Sequence, residues 1–221
     1  MKPVLRKLIF FVVWYLGYYT LCFLLFAPEL FTISIYLVLM VSYYVVSFVD
    51  TMIRPFAEKA ELSPKYSLIL LMVFLVNPFL IVLTVYENIN VISKYVEVWD
   101  HILISYIGII TFLVGGFITI VSRVQLGMYG SGRLVIEENH KLVSTGIYRY
   151  LRHPMYFGGL LGVIGMALGI RSIIMLFVSG IFYFVIFRNR IREEERLLIE
   201  EFGESYNTYM KQTKRLIPRV Y

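Results

Sequence analysis

Cysteine is almost missing from this 221-residue chain, where Cys22 stands alone. That excludes a disulfide framework and any cysteine-based metal site. Cys22 lies in an apolar run and suits a small buried or lipid-facing side chain. Charge is also scarce. Only 16% of residues are charged, against roughly 25% in a soluble domain, and acids are fewer than bases, 15 against 21. In a soluble protein a net charge of +6 would suggest nucleic acid. In a chain that is 59% hydrophobic it points to cytoplasmic loops facing anionic lipid, and no nucleic-acid partner is expected. Internal repeats and low-complexity segments are absent as well. What is abundant is apolar sequence in long runs, with 17% aromatic residues. The class this implies is an all-α, polytopic membrane helical bundle.

Six runs are long enough to consider. The first covers residues 8–26 after Lys2, Arg6 and Lys7; its length and the poor cleavage site at Ala27-Pro28-Glu29 favour a retained span over a signal peptide. Further runs cover 31–53, ending at Arg54-Pro55, and 66–86, with Asn77-Pro78 at mid-depth, where proline kinks a helix and Asn77 suits a neighbouring helix. The fourth run, 101–121, has Asp100 and His101 at its mouth, and His101 is expected to be interfacial. Its Gly115-Gly116 pair permits close helix approach. The last two, 155–170 and 172–187, are shorter. About 16 residues at 1.5 Å each reach about 24 Å, under the roughly 30 Å hydrocarbon core. They are predicted to form a helical hairpin turning at Arg171. Residues 188–221 then become a charged helix and a cytoplasmic amphipathic tail. The organisation expected is one integrated domain, with four N-terminal spans over 1–122 and a C-terminal catalytic region over 123–221.

Charge asymmetry supports six spans. With that count, 19 of the 21 lysines and arginines fall on one side, leaving only Lys94 and Arg171 opposite. The positive-inside rule puts both termini and the polar segment 123–152 in the cytoplasm. The membrane would be the cell membrane in a prokaryote and the endoplasmic reticulum in a eukaryote.

Polar chemistry concentrates in residues 140–156, His-Lys-Leu-Val-Ser-Thr-Gly-Ile-Tyr-Arg-Tyr-Leu-Arg-His-Pro-Met-Tyr. Gly146 allows a tight turn and Pro154 suits the first position of a helix. The main chain at Leu142 and Val143 would be free to meet a ligand, and Tyr148 and Tyr156 offer π faces and hydroxyls. Arg149 and Arg152, taken singly, suit phospholipid headgroups. A second group, Arg190 to Glu195, follows the last span on the same side. Arg190 and Glu194 are four apart and share a helix face, so an exposed ion pair is the plain reading; their position at the same cytoplasmic mouth favours a site. Phe202, Tyr206 and Tyr209 form an aromatic helix face expected to pack on the bundle. No metal site is expected.

Taken together, His140-Lys-Leu-Val, Gly146-Ile-Tyr148, Arg152-His-Pro-Met-Tyr156, Arg190-Ile-x-x-Glu194-Glu195, Phe202-Gly-x-x-Tyr206-x-x-Tyr209 and Ile217-Pro218 resemble the isoprenylcysteine carboxyl methyltransferase family, within the integral membrane phospholipid and prenylcysteine methyltransferases. The resemblance covers about residues 123–218. It implies an S-adenosylmethionine-dependent enzyme, releasing S-adenosylhomocysteine, with the cofactor held by His140, Lys141, Leu142, Val143, Tyr148, His153, Pro154, Met155, Tyr156, Glu194 and Glu195. It assigns Arg190 to the substrate, and makes Arg190 and Glu194 the catalytic candidates. The family enzyme that methylates prenylated proteins carries a glutamine upstream of the His-x-Leu-Val motif, where this chain has Arg133.

The acceptor this implies is a lipophilic, prenylcysteine-like carboxylate entering from the bilayer, with membrane lipids as surroundings and no obligate protein partner. A carboxylate is ionised at neutral pH and needs a cation to orient it, a part that suits Arg190. A phospholipid amine is the alternative acceptor; it would need a base, Glu194 or Glu195. Membrane sterol reductases share an Arg-His-Pro-x-Tyr element and would use NADPH, so a reductase is the second alternative.

Overall fold

A computed structural model describes the backbone of residues 3–55, 64–92, 95–96, 99, 101–130 and 141–217. His140, Arg133 and Pro218 lie outside the described residues. Eight helices carry the described architecture. They are α1 (Pro3–Phe26, with a π-helical middle at Val12–Tyr19), the short α2 (Glu29–Thr32), α3 (Ser34–Ile53), α4 (Pro64–Glu87, prolonged by a π turn at Asn88–Ile92), α5 (Ile102–Leu126), α6 (Pro154–Gly169), α7 (Ile173–Phe202) and α8 (Glu204–Gln212). Among the described residues, the helices α1, α3, α4, α5 and α7 are long and apolar enough to cross a membrane, and α6 is a shorter apolar helix. The all-α bundle expected from the hydropathy is the fold observed. One boundary differs: the last apolar run and the charged segment after it form a single 30-residue helix, α7. Nothing between Phe187 and Phe202 breaks it, because that stretch is rich in Arg, Glu and Leu and holds neither proline nor glycine.

Glycine sets how tightly α5 meets α6. A Cβ on Gly115 would lie 2.5 Å from the Gly158 carbonyl oxygen, and one on Gly158 would lie 2.6 Å from that of Gly115. Only hydrogen fits between the two backbones, so neither position tolerates even alanine without the helices moving apart. Gly116 makes the same allowance for Val46 of α3. The N-terminal helices pack differently, through aromatic rings: Tyr15, Tyr19 and Phe74 meet with centroids 4.9–5.7 Å apart. Beside Pro78 inside α4, Asn77 accepts from the Tyr183 hydroxyl of α7 (2.7 Å) and lies 3.4 Å from that of Tyr43 of α3. It ties three helices, as its mid-span position suggested.

Two ends of the bundle can be told apart. At one, Lys7 donates to the Met52 carbonyl, Asp50 pairs with Arg123 at 2.6 Å, and Tyr148 reaches the Ser122 carbonyl. The start of α1, the ends of α3 and α5 and the segment before α6 therefore gather there. At the other end α6 turns into α7 through Arg171, whose φ is +61°. There Glu87 of α4 accepts from the amides of Ile174 (2.8 Å) and Met175 (3.0 Å), and Ser172 also caps Met175. A carboxylate at a helix N-terminus satisfies amides the helix cannot and meets the positive end of its dipole. This anchor fixes the height of α7, and with it Arg190 and Glu194 farther along the helix. His101 likewise serves as a cap, its Nδ1 accepting from the Leu103 amide.

Candidate active site

Three segments distant in sequence build the site: 141–156, the projecting half of α7, and the tail after α8. Pro154 occupies the first turn of α6, where its missing N–H costs nothing. The tail then locks the approach to that helix. The Arg152 amide donates to the Lys214 carbonyl (2.8 Å) and the His153 amide to that of Arg215 (3.1 Å), and Leu216 is fully buried against Tyr156 and Ile191. From α8, the Tyr209 hydroxyl donates to the Tyr148 carbonyl at 2.6 Å. The aromatic face expected to pack on the bundle does so, with Tyr206 and Tyr209 buried. Gly146 takes a left-handed φ of +59°, and the Gln125 side chain lies 2.5 Å from where a Cβ would stand. That amide accepts from the Ile147 N–H at 2.9 Å, holding the turn against α5.

At the centre lies Tyr156, whose ring is buried. Its hydroxyl accepts from Arg190 Nε at 2.7 Å and donates to Glu194 Oε2 at 2.7 Å. The guanidinium carbon stands 6.0 Å from the centroid of the same ring. The pair expected from i, i+4 spacing is thus linked through a phenol from another helix. His153, buried, is 3.8 Å from Glu194 through Nδ1 and 3.3 Å from Glu195 through Nε2. Glu194 keeps 32% of its side chain exposed, so one face of its carboxylate remains available to a ligand.

The neighbouring Glu195 is different. Its side chain is 5% exposed and meets Arg152 (3.0 Å), Arg215 (2.6 Å) and His153. Burial alone would push its carboxyl up; the bonds from His153, Arg215 and Arg152 outweigh that and hold it down at about 2. Arg152 also donates to the Met210 carbonyl at 3.0 Å and to that of Thr213. This corrects one expectation: Arg152 faces an internal carboxylate rather than phospholipid, because only a fixed guanidinium fork satisfies Glu195 and two tail carbonyls at once. Arg149 is exposed.

The remaining expected residues can be located. Lys141 is exposed, Leu142, Val143 and Met155 are half-buried, and Tyr148 is buried. Among the described residues, no hydrogen bond engages the main chain of Leu142 or Val143. Burial and the nearby Glu194 carboxylate keep the Tyr148 phenol protonated. Gln125 and Arg215 carry no signal in the sequence, since each acts through a partner at least twenty residues away; Tyr209 stands out as part of an aromatic face, but its bond to Tyr148 does not. A sulfonium fits the part-exposed carboxylate of Glu194 with the Tyr156 ring bonded to it. Among the described residues no group of three or more His, Cys, Asp or Glu is disposed to hold a metal.

Residues 103–205 match the family model described as phospholipid methyltransferase. The protein-S-isoprenylcysteine O-methyltransferase of Dictyostelium discoideum is 36% identical over 107 residues, covering 46% of this chain and 45% of its own. The cobalt-zinc-cadmium resistance protein CzcN of Cupriavidus metallidurans is 30% identical over 122 residues, covering 55% and 54%. The chain thus spans about half the length of these two relatives. Across its whole length it is similar in fold to the solved eukaryotic intramembrane Ras methyltransferase, isoprenylcysteine carboxyl methyltransferase, with a TM-score of 0.59 at 18% identity, covering 88% of that chain. The family-model match covers just under half of the chain, and the likeness to the solved structure is one of fold.

Proposed function

We propose that the protein is a membrane methyltransferase that uses S-adenosylmethionine and methylates the carboxylate of a lipophilic, prenylcysteine-like acceptor reaching the site from the bilayer. The observation that carries this reading is the Arg190–Tyr156–Glu194 chain beside His153. When bound, S-adenosylmethionine would supply a methyl group on a positively charged sulfur. Glu194 and the faces of Tyr148 and Tyr156 would hold that charge, and the main chain of Leu142 and Val143, with Lys141, His153, Pro154 and Met155, would hold the remainder of the molecule. His140 and Glu195 were expected in the same role. Glu195 is the residue whose partners least suit direct contact, because three groups of the chain already occupy its oxygens.

Arg190 orients the acceptor. An in-line transfer requires the attacking oxygen on the axis of the breaking bond, and a guanidinium fixed by a 2.7 Å bond to Tyr156 gives it a stable direction. No general base is needed for a carboxylate, ionised at neutral pH. An amine acceptor is the second reading, favoured by the phospholipid methyltransferase match; Glu194 would then take the proton. In orientation, we assign the basic end, with Lys7, Arg54, Arg123 and the site, to the cytoplasm.

Incubating purified protein with radiolabelled S-adenosylmethionine and, separately, a prenylcysteine analogue, phosphatidylethanolamine and a fatty acid tests the assignment. Label in the prenylcysteine ester is expected. Label in phosphatidylethanolamine alone would replace the acceptor, and no transfer to any, with NADPH bound instead, would overturn the reading.

A further inference from the structure

The outer face of α7 changes character partway along. Ile174, Val178, Ile181 and Val185 follow one another at steps of three or four residues and are exposed, which makes an apolar strip turned away from the bundle. The same steps continue through Arg188, Arg192 and Arg196, all exposed. Arg190 is two residues from both Arg188 and Arg192, about 200° around the helix, so the cationic strip backs onto the flank that faces Tyr156. Depth follows from length. From Ile173 to Phe187 the apolar part of α7 rises only about 22 Å, against a hydrocarbon core of about 30 Å. Arg188 is therefore drawn into the bilayer boundary and Arg192, about 6 Å farther on, stands at headgroup depth, with long side chains that reach outward.

The chain supplies no anion to these two. Glu193 pairs with Arg196 at 3.2 Å, Glu194 goes to Tyr156, and Glu195 to Arg152 and Arg215. Among the described residues, no hydrogen bond or ion pair engages the side chain of Arg188 or Arg192. Like charges four residues apart on a helix repel, and only an anion from outside relieves that repulsion here. We infer that Arg188 and Arg192 clasp the headgroup phosphate of an anionic phospholipid whose acyl chains lie along Val178, Ile181 and Val185. Two guanidinium forks offer paired donors to phosphate oxygens. A zwitterionic head brings a cation to the same place and gains less, and a soluble anion leaves the apolar strip unused. The bound lipid sits outside the bundle, on the opposite flank from Arg190, and the inference holds whatever reaction the inner flank performs.

The test is native mass spectrometry of the full chain, delipidated in detergent and titrated separately with dioleoyl phosphatidylglycerol, dioleoyl phosphatidylcholine and inorganic phosphate. The first phosphatidylglycerol should bind at least about tenfold tighter than phosphatidylcholine, as two arginines at the surface provide, and phosphate alone should not be retained. Replacing both arginines, Arg188→Gln with Arg192→Gln, should bring that preference below about twofold. Arg149→Gln with Lys211→Gln removes as much charge from exposed positions elsewhere and should leave the preference intact. Arg192→Glu gives Arg188 a partner four residues on, so it should abolish the preference without loosening the helix, and it decides the matter if the double glutamine variant is not recovered folded. Equal binding of phosphatidylcholine, retention of phosphate alone, equal loss in the two double variants, or a preference that survives Arg192→Glu would overturn the inference.

Discussion

Glu194 and Glu195 are neighbours on one helix and belong to different regions of the molecule. A rotation of about 100° per residue separates their side chains, and that is enough. Glu194 turns to Tyr156 with part of its carboxylate open; Glu195 turns inward to Arg152, Arg215 and His153. The first region is partly open to its surroundings, and the second is neutralised from within. The open region depends on the closed one. Glu195 and its cations clamp the tail to residues 151–153, and those residues lead directly into Tyr156.

Separating the two roles by mutation should give effects of different kinds. The largest belongs to Glu195→Ala, which leaves the buried Arg152 guanidinium without its carboxylate. Loss of one member of a buried pair costs about 3–5 kcal/mol, to be read as the unfolding free energy in mixed micelles, while Glu194→Ala should cost under about 1 kcal/mol. The sign of the pH dependence follows from the same cluster. A carboxyl held at about 2 in the folded chain and about 4.3 in the unfolded one contributes stability that is complete above about pH 5 and is lost as pH falls toward 2. Glu195→Gln should flatten that slope in an acid titration of stability.

Next in size is Arg190→Ala. Removing the group proposed to orient the acceptor should lower turnover about 100-fold and leave the Kd for S-adenosylhomocysteine within about twofold of wild type; equal loss in both would merge the roles assigned to Arg190 and Glu194. Tyr156→Phe should have the smallest effect, severalfold on turnover, because the ring remains and one bridging hydroxyl is lost, worth about 1 kcal/mol. An effect as large as that of Arg190→Ala would mean that the hydroxyl itself contacts a reacting group.

Much of this was legible beforehand. The apolar runs locate the helices because burial in lipid demands about twenty apolar residues in sequence. Gly115 and Asn77 announce close packing and helix ties, since neither belongs in a span without a reason. Residues 140–156 stand out by polarity, and Arg190 and Glu194 by spacing. The clamp around Glu195 was not legible: Arg215 lies 20 residues away, across a helix end at Gly203, and ion pairing at such range has no periodicity to read. Arg152 was misread for the same reason, because an arginine beside a membrane looks the same whether it meets lipid or a buried carboxylate. Tyr156 as the bridge between Arg190 and Glu194 required knowing how α6 packs on α7, which depends on Gly159 opposite Phe187 rather than on any motif.

The most direct test is calorimetric titration of S-adenosylhomocysteine into the purified protein and into Glu194→Ala. The account predicts one site per chain in the wild type and at least a tenfold weaker Kd in the variant, about 1.4 kcal/mol, with no heat from NADPH in either. Wild-type affinity in Glu194→Ala, or NADPH binding in place of S-adenosylhomocysteine, would contradict it.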